Sequence, residues 1–279
     1  MDSVPAENKY LDINDLRLHY LDWGNDGSRP ILLLHGFMGH AHVWDSFSLH
    51  FRNLYHVIAL DQRGHGESQW SKEAAYSIDA HFSDLARLIE ILNLDDLILI
   101  GHSMGGRNAL FYAACIPEKV QRLILVDSRP GNSAQSRDAL MQLLFYFPLQ
   151  AESLDQVVES IQRLYPSMSA KIAYNIAEYG YKKSENERYV PKYDTRMSLQ
   201  CERAAYAAEN MWSLLKNVYC PTLVVRGEKS PFLSRADAKK MCSLLPKAVL
   251  REIPHSTHMP AQENPDVFKK LVSDFLGEC

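Results

Sequence analysis

A chain of 279 residues is long enough for one sizeable α/β domain with an insertion. Its residues are 46% apolar and 23% charged, ordinary globular values that exclude a disordered or fibrous protein. The net charge of -4 supplies none of the basic surface needed to neutralise phosphates, so nucleic acid is not an expected partner.

Residues 1–14 carry Asp2, Glu7 and Asp12 without the apolar stretch of a secretory leader, and no later run reaches membrane-spanning length; a cytoplasmic protein is expected. Residues 16–23 (LRLHYLDW) alternate like an early antiparallel strand. Strand runs follow at 30–35 (PILLLH), 56–61 (HVIALD), 97–101 (LILIG) and 120–127 (VQRLILVD), too uniformly apolar in the middle of the series for half-wetted strands and suited to a buried parallel sheet. Leu85, Leu88, Ile89 and Leu92 fall at i, i+3, i+4 and i+7, one apolar face of a crossover helix, and a further helix is predicted over 104–115.

From about 131 to 216 the strand signal stops. Leu140, Leu143, Leu144 and Phe147, then Leu154, Val157, Val158 and Ile161, recur with helical period, and the mixed-charge stretch 182–188 (KKSENER) reads as a solvated loop. Strand pattern resumes at 221–227 (PTLVVRG) and 248–254, with helices predicted over 234–245 and 265–276. The pattern predicts an α/β fold, a mostly parallel sheet with helices on both faces: a core of 1–130 and 217–279 interrupted by a helical cap of 131–216. Five cysteines (Cys115, Cys201, Cys220, Cys242, Cys279) lack C-x-x-C spacing, which argues against a disulfide framework or thiolate zinc site and leaves terminal Cys279 as the one expected to be exposed.

The strongest chemical signal is Gly101-His102-Ser103-Met104-Gly105, a G-x-S-x-G between an apolar strand and a helix. The spacing is common by chance; the strand-to-helix context gives it meaning, because a sharp turn there exposes the serine and leaves no room for flanking side chains. Serine needs a base to take its proton, and two histidines, His255 and His258, lie together between the last strand and last helix. An acid must then hold the imidazole's tautomer.

These motifs, with Asp61-Gln62-Arg63-Gly64-His65-Gly66-Glu67-Ser68 at the end of the strand run 56–61, resemble the α/β-hydrolase superfamily, and the resemblance runs from about Leu16 to Leu276. It implies the α/β-hydrolase fold with an inserted cap. Thr257-His258-Met259-Pro260 followed by Glu263-Asn264-Pro265 matches the superfamily's histidine register, so His258 is the expected base and His255 a loop or pocket residue. Most members place the acid in a G-x-x-D segment, but here Gly227-Glu228-Lys229-Ser230 has serine at that point. Some branches carry it one strand earlier, which nominates Asp127, with Glu228 as the alternative and a strand-end carboxylate capping a turn or meeting Arg129 as the non-catalytic reading of Asp127. The oxyanion donors implied are the backbone amides of Met104, at a helix N-terminus, and Phe37, in His35-Gly36-Phe37. Asp61 and Arg63 are expected to pin a glycine-shaped loop, with His35, His65 and His102 as packing residues.

Serine at the nucleophile position argues against the haloalkane and epoxide chemistry that uses aspartate in this superfamily. The expected reaction is hydrolysis of small to medium carboxylic esters through an acyl-enzyme, with a small-molecule ester as substrate and no metal or organic cofactor. Arg107, one helical turn beyond Ser103, with Arg129 beside it, suits a carboxylated substrate instead: a C–C hydrolase, or an enzyme similar to the menaquinone-pathway synthase. Arg107 facing solvent or paired with a core acid is the plain reading. A hydrolase-fold ligand receptor is the third alternative. Cap aromatics (Phe145, Tyr146, Phe147, Tyr165, Tyr174, Tyr179, Tyr181, Trp212) suit an apolar acyl group or, more simply, the cap's own core.

Overall fold

The computed structural model describes residues 5–131, 133–200 and 211–277. Eight strands form one sheet: β1 (Glu7–Ile13), β2 (Leu16–Asp22), β3 (Pro30–Leu34), β4 (His56–Leu60), β5 (Leu97–His102), β6 (Val120–Val126), β9 (Thr222–Gly227) and β10 (Ala248–Ile253). Their spatial order is β1-β2-β4-β3-β5-β6-β9-β10. β2 pairs antiparallel with both β1 and β4, and every other neighbour is parallel.

The uniformly apolar strand runs have a direct cause. Ile31, Leu33, Ile98, Ile100, Leu223 and Val225 point to one face, where they pack under α1 (Asp45–Phe51) and α8 (Pro265–Leu276) through Phe47, Phe51, Phe268 and Val272. Alternate residues Leu32, Leu34, Leu97, Leu99 and Val224 point to the other, against α2 (Ile78–Ile91), α3 (Met104–Cys115) and α7 (Arg235–Leu244). Both faces are covered, so neither register position is polar. The predicted stripe of α2 buries Leu85, Leu88 and Ile89, while Leu92 is its C-cap.

Between β6 and β9 the chain forms α4 (Ala134–Tyr146), α5 (Leu154–Leu164) and α6 (Ala170–Gly180), then a small antiparallel hairpin of β7 (Tyr181–Lys183) and β8 (Tyr189–Pro191). The hairpin corrects the expectation of helix alone. Its turn is the predicted solvated stretch and is exposed, and its arms are too short to show a period. β1 was also absent from the sequence expectations: an edge strand with Glu7, Asn8, Tyr10 and Asp12 exposed, it carries little apolar pattern. Residues 201–210 of the predicted cap, with Cys201 and Cys279, lie outside the described residues. Of the described cysteines Cys115 is exposed and Cys220 buried, and all are free. No helix among the described residues is long and apolar enough to cross a membrane.

Candidate active site

The C-terminal ends of β3, β5, β6 and β9 meet on one side of the sheet, and Ser103 stands there at the turn from β5 into α3. Its backbone is strained, with φ 50° and ψ -112°, a conformation that few L-residues adopt. The neighbouring glycines make the turn possible: a Cβ at Gly105 would come 2.5 Å from the His35 carbonyl oxygen, and one at Gly101 2.3 Å from that of Gly105. Ser103 N–H donates to the Val126 carbonyl at 3.0 Å, and the Ser103 carbonyl accepts from the Ser128 hydroxyl at 2.8 Å. The turn is thereby held from the neighbouring strand as well as by its own helix.

His258 reaches this serine from the loop after β10. Its Nε2 lies 3.0 Å from Ser103 Oγ and its Nδ1 2.8 Å from Asp127 Oδ2. Asp127 sits at the end of β6 with φ 43°, in the left-handed region that aspartate tolerates, and is 1% exposed. Its Oδ1 accepts the Gly227 amide at 3.1 Å and its Oδ2 also accepts the Ser230 hydroxyl at 2.5 Å. Burial pushes the Asp127 carboxyl upward, while the Ser230 and Gly227 donors pull it back toward the anion. Burial lowers the His258 imidazole, with the Arg107 guanidinium adding to the effect, so the ring rests neutral and able to accept a proton. Phe232 stacks on that ring with centroids 3.8 Å apart.

The other nominated residues separate cleanly. Glu228 is exposed and its carboxylate accepts the His255 amide at 2.9 Å, turned to the loop and bonded to neither His258 nitrogen. His255 is itself exposed, a loop residue. Arg129 does not pair with Asp127; it is held by Asp237 at 2.9 Å and the Gly131 carbonyl at 2.7 Å, above the Trp212 ring, and it lines the same cavity as Arg107. Asp61 and Arg63 do pin their loop, each through a separate partner: Asp61 holds His19 at 2.7 Å and the Ala41 amide at 2.6 Å, and Arg63 forks onto Asp84 with two contacts of 2.6 Å. His35 accepts the Gln62 amide, His65 packs on Tyr193 and His102 bonds the His258 carbonyl at 2.7 Å. Burial lowers His35 and His102 to about 3 and His65 to about 4.

Ser103 opens on a cavity of about 500 Å³. Phe37 and Met104 line it beside the serine, and Met104, first residue of α3, has an amide with no acceptor inside its helix. Leu140, Leu143, Phe147, Tyr165 and Ile176 form the wall contributed by residues after β6. Of the eight aromatics expected in the cap, Phe147 and Tyr165 line the cavity; Trp212 lies beneath Arg129, and Phe145 is 83% exposed. Arg107 and His81 line another part of the wall, and burial, then nearby cations including Arg63 and Arg107, holds His81 well below the usual imidazole range. Sequence reasoning singled out neither Phe232 nor His81. Phe232 had a signal, two residues past the anomalous Ser230; His81 reads as an ordinary polar helix position.

The described residues hold one cluster of possible metal ligands, away from Ser103. Asp22, Asp26 and His56 bring ligand atoms within 4.8 Å of one another at the opposite end of β2 and β4, but Asp22 already accepts Lys9 Nζ at 2.7 Å and His56 at 3.0 Å.

Comparison with known proteins agrees with this architecture. A family model described as alpha/beta hydrolase fold matches residues 29–265. The chain is 28% identical over 270 residues to a 2-(acetamidomethylene)succinate hydrolase of Mesorhizobium japonicum, covering 96% of this chain and 95% of that protein. It is also 28% identical over 290 residues to epoxide hydrolase 4 of Mus musculus, covering 96% and 79%. The crystal structure of E-2-(acetamidomethylene)succinate hydrolase superposes with a TM-score of 0.87 at 26% identity, covering 98% of this chain and 99% of that one.

Proposed function

The chain belongs to the alpha/beta hydrolase fold family, and from that premise we propose that it hydrolyses carboxylic esters of small to medium acyl groups through an acyl-enzyme on Ser103. The observation that carries this reading is the unbroken line of hydrogen bonds from Ser103 Oγ through His258 to Asp127, at 3.0 and 2.8 Å, on the floor of a largely apolar cavity. His258 Nε2 takes the serine proton as Oγ attacks the ester carbonyl, and Asp127 stabilises the imidazolium and fixes the tautomer with Nδ1–H. The oxyanion is received by the Phe37 and Met104 amides, the second at the positive end of α3. His258 returns the proton to the leaving alcohol, and water, deprotonated by the same ring, releases the acid. No step calls on a metal or organic cofactor.

Residues 131–216 act in this scheme as a cap that sizes the acyl group, over a core of 1–130 and 217–279. Leu140, Leu143 and Phe147 support that role by walling the cavity. The epoxide hydrolase likeness does not carry over as chemistry, since serine rather than a carboxylate stands at the nucleophile position.

A second reading is favoured by Arg107 and His81 at the cavity wall: an acyl group that itself bears a carboxylate, in keeping with the relative named for a substituted succinate. Hydrolysis of p-nitrophenyl butyrate beside the p-nitrophenyl monoester of glutaric acid tests both. Ser103→Ala is expected to abolish turnover of either, and Glu228→Gln to leave both within about twofold, because the exposed Glu228 carboxylate bonds the His255 loop amide rather than His258. Preference for the charged ester that disappears in Arg107→Gln selects the second reading; absence of turnover of both esters by folded protein sinks the first.

A further inference from the structure

Ser230 occupies the point where the superfamily pattern led to an expected aspartate, and it is 5% exposed. Its hydroxyl makes three contacts. Oγ accepts the amides of Phe232 at 3.1 Å and Leu233 at 3.0 Å, and lies 2.5 Å from Asp127 Oδ2. A hydroxyl has two lone pairs and one proton. With the lone pairs taken by two backbone donors, the proton has a single direction left, toward the carboxylate. The oxygen it meets is the one that also faces His258 Nδ1 at 2.8 Å. The same short turn places Phe232 flat against the His258 ring, so residues 230–233 hold the acid by a hydrogen bond and the base by a face.

We propose that Ser230 is a positioning residue for the reaction, a hydroxyl locked by two backbone amides so that it donates permanently to Asp127 and sets the proton affinity of the Asp127–His258 pair. This rests on the serine-hydrolase reading above. A donor to a carboxylate stabilises its anion. Without it Asp127 becomes more basic, the pair holds its proton more tightly, and His258 stays protonated to higher pH. The other groups acting on the pair are identifiable: His102 from the end of β5, Arg226 on β9, Arg107 on α3, and Tyr165 at the end of α5. Glu263 holds the Thr257 and Met259 amides on either side of His258. Arg226 is itself tied to Glu252 at 2.6 Å and to the Leu233 carbonyl at 2.7 Å. None of them donates to Asp127 Oδ2, which leaves Ser230 and His258 as its side-chain partners among the described residues.

The test is the pH dependence of labelling by an alkyl fluorophosphonate, in which Ser103 Oγ displaces fluoride from phosphorus while His258 takes the proton. Wild type, Ser230→Ala and Ser230→Thr are compared, with Ser103→Ala as the unlabelled reference and thermal unfolding to confirm folding. Loss of one charge-assisted hydrogen bond raises the proton affinity of the pair by about tenfold, so the acid limb in Ser230→Ala is expected to move up by about one pH unit. Ser230→Thr, which keeps the hydroxyl, returns the limb toward wild type. Should Ser230→Ala not fold, Ser230→Cys, nearly isosteric and a weaker donor, is expected to give a smaller shift in the same direction. An unmoved limb with a uniform drop in rate at every pH overturns the role of Ser230 and leaves Ser103 as the nucleophile. Failure of wild type to label at any pH overturns the serine-hydrolase reading itself, and the Ser230 role with it.

Discussion

The two sides of the cavity are built on different principles. The core side is directional: Asp127 takes bonds from Ser230, Gly227 and His258, His102 bonds the His258 carbonyl, and Gln62 ties His35 to Asn108 at 2.7 Å on each side. The side built after β6, the proposed cap, meets the cavity mainly through Leu140, Leu143, Phe147 and Ile176, which offer volume, with Ser136 and Tyr165 as its polar lining residues. Its polar anchors stand elsewhere, as in the Ser167 hydroxyl on Glu263 at 2.7 Å and Asn175 on Asp45 at 3.2 Å. Proton transfer requires atoms held to a few tenths of an ångström, whereas admitting an acyl chain requires a space of the right size. Substitutions on the core side should therefore act on rate, and those on the cap side on choice of substrate.

The largest effect expected on the core side is that of Asp127→Asn. The amide matches the carboxylate in shape but can present N–H to His258 and stabilise the wrong tautomer, a change that costs about 10⁴ in kcat where a Ser-His-Asp set is catalytic. KM for a p-nitrophenyl ester should hold within a few-fold; a matching rise in KM would mean that Asp127 shapes the cavity instead. Next comes Gly227→Ala. A Cβ there would lie 1.8 Å from the Thr257 carbonyl, so the loop carrying His258 must move. A displacement of about 1 Å costs on the order of 10²-fold in kcat. Retention of full activity in a folded Gly227→Ala would show that the loop is more forgiving than its hydrogen bonds suggest.

Acid should separate the two sides as well. All eleven histidines lie outside residues 131–216. Burial lowers His35 and His102 to about 3 and His40 and His65 to about 4. Below an unfolded-state value of about 6.5 the unfolded chain binds protons that the native state refuses, so the stability associated with these neutral rings is complete above about pH 7 and falls as the pH drops through 6.5 toward 4. At pH 5 each costs about 2 kcal/mol, and four together approach the whole stability of a typical domain, roughly 5–15 kcal/mol. Urea unfolding at pH 7, 6 and 5 measures this directly. Equal midpoints at pH 7 and 5 would mean that the rings are protonated in the native state.

What could be read in the sequence follows the same division. Ser103 is legible because a strained turn forbids side chains at its neighbours and so writes glycines around it. His258 is legible by register before Glu263 and Pro265. Between Asp127 and Glu228 the sequence decides nothing by itself, since both follow strands that end beside the serine; the structure separates them by direction, one inward to His258 and one outward to the His255 amide. Partners distant in the chain were hidden for a different reason: Asp61 finds His19 and Arg63 finds Asp84 through tertiary packing, which local spacing does not encode. The sheet's inner strands were legible from continuous apolar runs, but β1 and the β7–β8 hairpin, exposed and short, leave no comparable pattern.

On the cap side the expected effect is smaller and of another kind. Leu143 is 8% exposed, sits on α4 and borders the cavity. Leu143→Ala removes a branched side chain from a wall that makes no directional bond to the reacting atoms, so Ser103 chemistry on a two-carbon acyl group should proceed at nearly the wild-type rate. The space released accommodates roughly two or three further methylenes. One methylene in an apolar pocket is worth about 1–3 kcal/mol at best. An opening that is partly wetted recovers a fraction of that, so the ratio of kcat/KM for octanoyl over acetyl p-nitrophenyl esters is expected to rise about tenfold. A change in kcat on the acetyl ester with an unaltered chain-length ratio would reverse the assignment: the cap would be holding the core residues in place, and the division between a side that reacts and a side that selects would fail.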